Sequence, residues 1–117
     1  MTKQEIFNTV CEHLIKQGAR SITDDPCACA YRSPTGLTCA IGCLIKDVCY
    51  TPELEGNASW AHEVQNALKT SGIPYDSCAD LLARLQTIHD NRLPNHWASD
   101  LANLAVQHKL EVPSCLK

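Results

Sequence analysis

Four cysteines stand close together in the stretch CACAYRSPTGLTCAIGCLIKD, residues 27–47: Cys27, Cys29, Cys39 and Cys43. If 27–32 is extended, alternation puts Cys27 and Cys29 on one face. If 39–47 is helical, Cys39 and Cys43, four residues apart, share another. Two thiolates from each arm could close a tetrahedral zinc site with bonds of about 2.3 Å, and the metal would stabilise a ribbon too short to stand alone. The spacing, C-x-C followed by C-x-x-x-C, is not the repeated C-x-x-C knuckle that makes a zinc assignment specific. Free cysteine also behaves as a small buried hydrophobe, and Cys11, Cys49, Cys78 and Cys115 carry it outside this stretch. Packing without a metal is the preferred reading, zinc the second, and a disulfide or redox role the third.

Nucleophilic chemistry is the other use for such thiols. Cys39 sits where a helix could begin, and helix N-terminal amides lower a thiol's pKa. It would need a base within hydrogen-bond reach, and the His89-Asp90 pair is the natural candidate. His89 lies on an apolar stripe, so it is expected to be buried, with both ring nitrogens needing partners. The competing reading is a core histidine tying its helix to a loop or to the ribbon. His13, His62, His96 and His108 have no spacing that would complete a His/Asp metal centre of the phosphohydrolase kind. Arg32 could grip a phosphate or carboxylate as a bidentate fork while Tyr31 packs, or it could pair with Glu53 or Glu55. No G-x-G-x-x-G or G-x-x-x-x-G-K-[ST] pattern is present, which argues against dinucleotide and P-loop sites.

The elements that must position these residues are mostly helices. Thr2 and Glu5 have capping-box spacing, Ile6, Phe7, Val10, Leu14 and Ile15 share a helical face, and Gly18 is a natural stop. CACAYR and LTCA flank Ser33-Pro34-Thr35-Gly36, a type I turn pattern, which predicts a small β-hairpin. Its second arm should run into a short helix through Ile41, Cys43, Leu44 and Ile45. Ser59 is placed to cap a helix carrying Trp60, Val64, Ala67 and Leu68. Ser77 and Asp80 repeat the capping-box spacing ahead of the strongest stripe: Cys78, Leu81, Leu82, Leu85, Ile88 and His89. Asn95 should cap a last helix with Trp97, Leu101, Leu104, Ala105 and His108 on one side. Trp60 and Trp97 are expected to be core anchors, although a tryptophan at a helix start can also lie at an interface or stack on a base. The expected fold is α+β and predominantly helical: four main helices plus a small β-hairpin and short helix, as one domain over 1–117.

Composition narrows the function classes. With 117 residues, 44% hydrophobic and 20% charged, the chain can bury a modest core. A formal charge of −3 and no Lys/Arg run argue against general nucleic-acid binding. No apolar run approaches the roughly 18 residues that cross a membrane, and the first residues lack an export pattern. The expectation is a cytoplasmic protein whose eight cysteines stay mostly reduced.

A further pattern runs through the same residues. Cys29-Ala30-Tyr31-Arg32 through Gly36, Cys39-Ala40-Ile41-Gly42, Leu44-Ile45 and Asp47 precedes Tyr50-x-Pro52-Glu53-x-Glu55-Gly56 and, later, Leu85-Gln86-Thr87-Ile88-His89-Asp90. This resembles a motif in small phage and prophage proteins of no established activity, over roughly residues 15–100. In that family the position of Cys43 is often not cysteine and one of the pair 27/29 can be absent, which counts against a four-thiolate site. The resemblance implies a bacterial or phage cytosol and an accessory role that counteracts a host defence. The leading functional expectation is a non-enzymatic binding protein that sequesters or blocks a host component, either a protein or a small anionic ligand such as a nucleotide. Its recognition face would combine Tyr31, Arg32 and Thr35 with Glu53, Glu55 and His89. Dimerisation would add area, and a ligand could then sit between protomers. The alternatives are a structural zinc module held by Cys27, Cys29, Cys39 and Cys43, and a cysteine-dependent hydrolase or transferase.

Overall fold

A computed structural model of the chain describes residues 1–23 and 28–117. Four α-helices form its frame: α1 (Lys3–Gln17), α2 (His62–Thr70), α3 (Tyr75–Asn91) and α4 (Trp97–Gln107). The first begins as the capping-box spacing predicts, with Thr2 Oγ1 accepting the Glu5 N–H and Glu5 Oε1 accepting the Thr2 N–H. It stops at Gly18, whose φ of 65° allows its N–H to close onto the Leu14 carbonyl. Helices α1, α3 and α4 pack on one another, and α2 leans on α3. One contiguous core joins Ile6, Phe7, Val10 and Leu14 of α1, Leu81, Leu82 and Leu85 of α3, and Trp97, Leu101 and Leu104 of α4. No helix among the described residues is long and apolar enough to cross a membrane.

Three helix starts differ from the expected ones. α2 begins at His62 without a side-chain cap, so Ser59 and Trp60 precede it and Trp60 is 71% exposed. α3 begins one turn early, behind Pro74, so Ser77 lies inside the first turn and donates to the Pro74 carbonyl. A single 3₁₀ turn, Pro94–His96, leads into α4 where Asn95 was expected to cap. At α3 and ahead of α4 proline sets the φ of the entering backbone and replaces the side-chain cap; at α2 the Ala61 carbonyl begins the ladder unaided.

The largest departure is the ribbon. Among the described residues there is no strand, only two isolated antiparallel bridges, Ile22 with Cys29 and Arg32 with Thr38. The expected turn is present: the Gly36 N–H reaches the Ser33 carbonyl at 3.1 Å. The expected short helix is a single 3₁₀ turn, Gly42–Leu44. A ladder is missing because side chains take the donors it would use. Glu55 accepts the Tyr31 and Arg32 N–H groups, Gln17 accepts that of Thr38, Ser33 Oγ that of Leu37, and Gln86 that of Ile41. Each buried backbone donor needs one partner, and a well-placed carboxylate or amide serves as well as a neighbouring strand.

Candidate functional site

His89 lies near the end of α3, on the side that meets the ribbon, and is fully enclosed. Its Nε2 accepts the Ser21 N–H at 3.0 Å, so that nitrogen carries no proton. Its Nδ1 therefore bears the proton and donates it to Asp90 Oδ1 at 2.7 Å. The ring also stacks on Trp97 with centroids 5.6 Å apart. One turn earlier, Gln86 Nε2 donates to the same Asp90 oxygen at 2.8 Å, while its Oε1 holds the Ile41 N–H. His89 and Gln86 thus set Asp90 in one orientation, with Oδ2 taking neither bond.

Cys29 comes from the ribbon to meet this carboxylate. Burial and a hydrogen bond to Asp90 push its thiol up to about 12. Burial likewise pushes Cys39 and Cys43 up to about 12, in spite of the Gly42 N–H that points at Cys39 Sγ. All seven described cysteines are free thiols. None of these three is a thiolate near neutral pH, and His89 has no nitrogen left to serve either Cys29 or Cys39 as a base.

Cys29, His89 and Asp90 are also the one group of metal-ligand types among the described residues whose ligand atoms come within 4.8 Å of one another. The imidazole does not fit that use. A metal-bound histidine turns its second nitrogen, as N–H, toward an acceptor, whereas here the second nitrogen faces the Ser21 donor. Of the four thiols considered for zinc, Cys27 lies outside the described residues. Cys43 Sγ donates to the Ala40 carbonyl at 3.1 Å and Cys39 Sγ accepts from Gly42, so each has a local partner.

The remaining residues expected on a recognition face have internal duties. The Tyr31 hydroxyl donates to the Asn57 carbonyl at 2.6 Å, and burial raises its pKa. Glu55, besides its two backbone bonds, accepts the Tyr50 hydroxyl at 2.6 Å. The Arg32 guanidinium lies 4.4 Å over the Tyr50 ring, donates to the Ile45 carbonyl and pairs with Asp47 at 2.8 Å. Thr35 and Glu53 are exposed, Thr35 sharing a hydrogen bond with Ser33 at the turn. Of the six residues, Tyr31, Arg32 and Glu55 form one cluster; His89 is held separately, by Ser21 and Asp90.

Between this ribbon, the loop that follows Glu55 and one side of α3 opens a cleft of about 270 Å³. Cys29, Tyr31 and Cys39 form one wall, Asn57, Ser59 and Trp60 a second, and Gln86, Thr87 and Asp90 the third. Of these, Asn57, Ser59, Gln86 and Thr87 were not expected at a site, and Trp60 was expected first as a core anchor. The Gln86–Asp90 spacing of four on a helix was a usable signal, whereas the position of Trp60 depends on where α2 starts. Comparison with protein-family models, curated proteins and solved structures finds no match for this chain.

Proposed function

We propose that this chain is an accessory binding protein of phage or prophage origin that acts in the bacterial cytoplasm by sequestering or blocking a host component. The origin rests on the resemblance of the 29–56 and 85–90 segments. The choice of binding over catalysis rests on one observation: both nitrogens of His89 are occupied, by Ser21 and by Asp90, in a site where the thiols are held protonated. Polar groups are set in a cleft, and none is activated. The test pairs a thermal-shift screen with thiol replacement. Any compound that prefers the folded chain must raise its melting temperature. With Cys29→Ser and Cys39→Ser, biological activity should survive; a covalent adduct trapped on either sulfur during turnover would end the reading.

A second surface supports an anionic ligand. Arg32 Nε is enclosed and has no hydrogen-bond partner among the described residues. The guanidinium borders an open cleft of about 500 Å³ lined by His13, Ser33, Thr38 and Asp47. Its partner Asp47 is 94% exposed, and such a pair is weak in water. A phosphate or carboxylate could therefore displace Asp47 from Arg32. Phosphate and nucleotides should then raise the melting temperature, and Asp47→Asn should strengthen the effect; no response in either protein removes this reading.

A further inference from the structure

Resting on the binding reading, we infer that the cleft beside α3 takes an alkylguanidinium group. The hydrogen-bond capacity of its walls points there. Four side-chain donors of the walls are committed inside the protein: Gln86 Nε2 to Asp90, the Thr87 hydroxyl to the Ala83 carbonyl, the Tyr31 hydroxyl to the Asn57 carbonyl, and Asn57 Nδ2 to the Glu53 carbonyl. The Cys29 thiol is turned to Asp90 as well. Besides the Ser59 hydroxyl and the Trp60 indole N–H, what the walls still offer is acceptor capacity on the Asp90 carboxylate and a negative charge. Asp90 is the one charged side chain among the described residues lining the cleft. A ligand that satisfies such a site must bring donors and a positive charge.

Size and shape select among cations. A volume of about 270 Å³ falls below the range of about 300–1,000 Å³ typical of drug-sized sites, so it suits a single head group and its stem. The exposed indole of Trp60 on the rim provides a flat face, which favours a planar delocalised cation over a compact ammonium. The carboxylate does not have to be organised on binding, because His89 and Gln86 already fix it. The same head group could belong to a free small alkylguanidine or to an arginine side chain presented by a protein partner.

Trp60 fluorescence supplies the assay, since Trp97 is fully buried and only the exposed indole answers to added solutes. Ethylguanidinium, and a short peptide with one central arginine, should change the emission saturably. The lysine peptide should bind at least tenfold more weakly, and the citrulline peptide, isosteric and uncharged, should not bind. Asp90→Asn should weaken guanidinium binding at least tenfold with the chain still folded, because the amide keeps the oxygen that accepts from His89 and Gln86. Trp60→Ala, followed by the amide shifts of Cys29 and Asp90, should weaken it too. An arginine peptide at least tenfold tighter than ethylguanidinium identifies a protein partner, and equal affinity a small-molecule one. Equal binding of lysine or citrulline, indifference to Asp90→Asn, or preference for a nucleoside overturns the inference. If another compound then raises the melting temperature through Asp90 and Trp60, binding stands and only the guanidinium falls.

Discussion

Leu85 and Gln86 are neighbours on α3, and they serve the two regions of the molecule by different means. Leu85 is fully enclosed among Leu81, Leu82 and the side chains of α1 and α4. Gln86 turns the other way and holds the ribbon by its backbone, through the Ile41 N–H. The helical frame is joined by apolar burial, which is additive and tolerant of exchange between residues of similar volume. The ribbon buries Ile41, Leu44 and Ile45 in the same core, and adds single polar side chains that each answer for one or two backbone groups. Such bonds are directional, and removing one partner leaves the other unsatisfied. A cleft whose walls are fixed by hydrogen bonds keeps its shape only while all of them hold.

The sharpest test of this contrast sets two α3 substitutions side by side. Leu85→Met should cost less than about 1.5 kcal/mol, since volume is nearly conserved. His89→Ala should cost about 4 kcal/mol, combining loss of a buried ring stacked on Trp97 with an orphaned Ser21 N–H. Urea unfolding of both measures the difference. His89→Phe divides the cost further, keeping the ring and removing both hydrogen bonds, for a loss of about 2 kcal/mol. If His89→Phe is neutral, the imidazole is there to fill space and the contrast collapses.

Next in size comes the crossing of the ribbon over itself. A Cβ on Gly42 would stand against the Tyr31 carbonyl oxygen, at 2.1 Å, and its carbon, at 2.9 Å, which are backbone atoms already tied down. Gly42→Ala should therefore cost about 3 kcal/mol. Gly56→Ala meets nothing within 4 Å and strains only its own φ of 80°, so its loss should be about 1 kcal/mol. Calorimetry on the two variants checks the order. Glu55→Gln follows, replacing one acceptor oxygen by a donor that faces Tyr31, Arg32 or Tyr50. A loss of about 2 kcal/mol is expected, with the ribbon amides exchanging faster than those of α1.

How much of this was legible in the sequence follows the same division. The frame could be read because burial on a helix leaves a periodic trace: Ile6, Phe7, Val10 and Leu14, or Leu81, Leu82 and Leu85, repeat at three and four. Thr2 and Gly18 marked the ends of α1 by chemistry that is local to a few residues. The ribbon leaves no such trace. Glu55 bonds residues 23 and 24 positions away, and Gln86 one 45 positions away, distances over which no pattern of residue types is diagnostic. The Ser33–Gly36 turn pattern suggested flanking strands, and acceptors brought from elsewhere in the chain overruled it. Trp60 was misplaced for a related reason. Its exposure depends on α2 starting at His62, two residues later than the Ser59 cap signal indicated.

The smallest expected effect concerns the thiols of the ribbon. Cys29, Cys39 and Cys43 are pushed up to about 12, chiefly by burial, from an ordinary value near 9. In the unfolded chain they ionise near pH 9, while in the folded chain they keep their protons. Above pH 9 the unfolded state binds fewer protons, so stability falls as pH rises from about 9 toward 12 and is fully present below 9. The melting temperature should be level from pH 6 to 8.5 and decline beyond it. Cys39→Ala, which removes the most enclosed of the three, should flatten that decline, and alkylation at pH 7.5 should leave Cys39 and Cys43 unmodified. Rapid labelling of Cys39 at neutral pH would mean that the ribbon lifts from α3 readily. The polar clamps would then be weaker than the apolar frame in population as well as in kind.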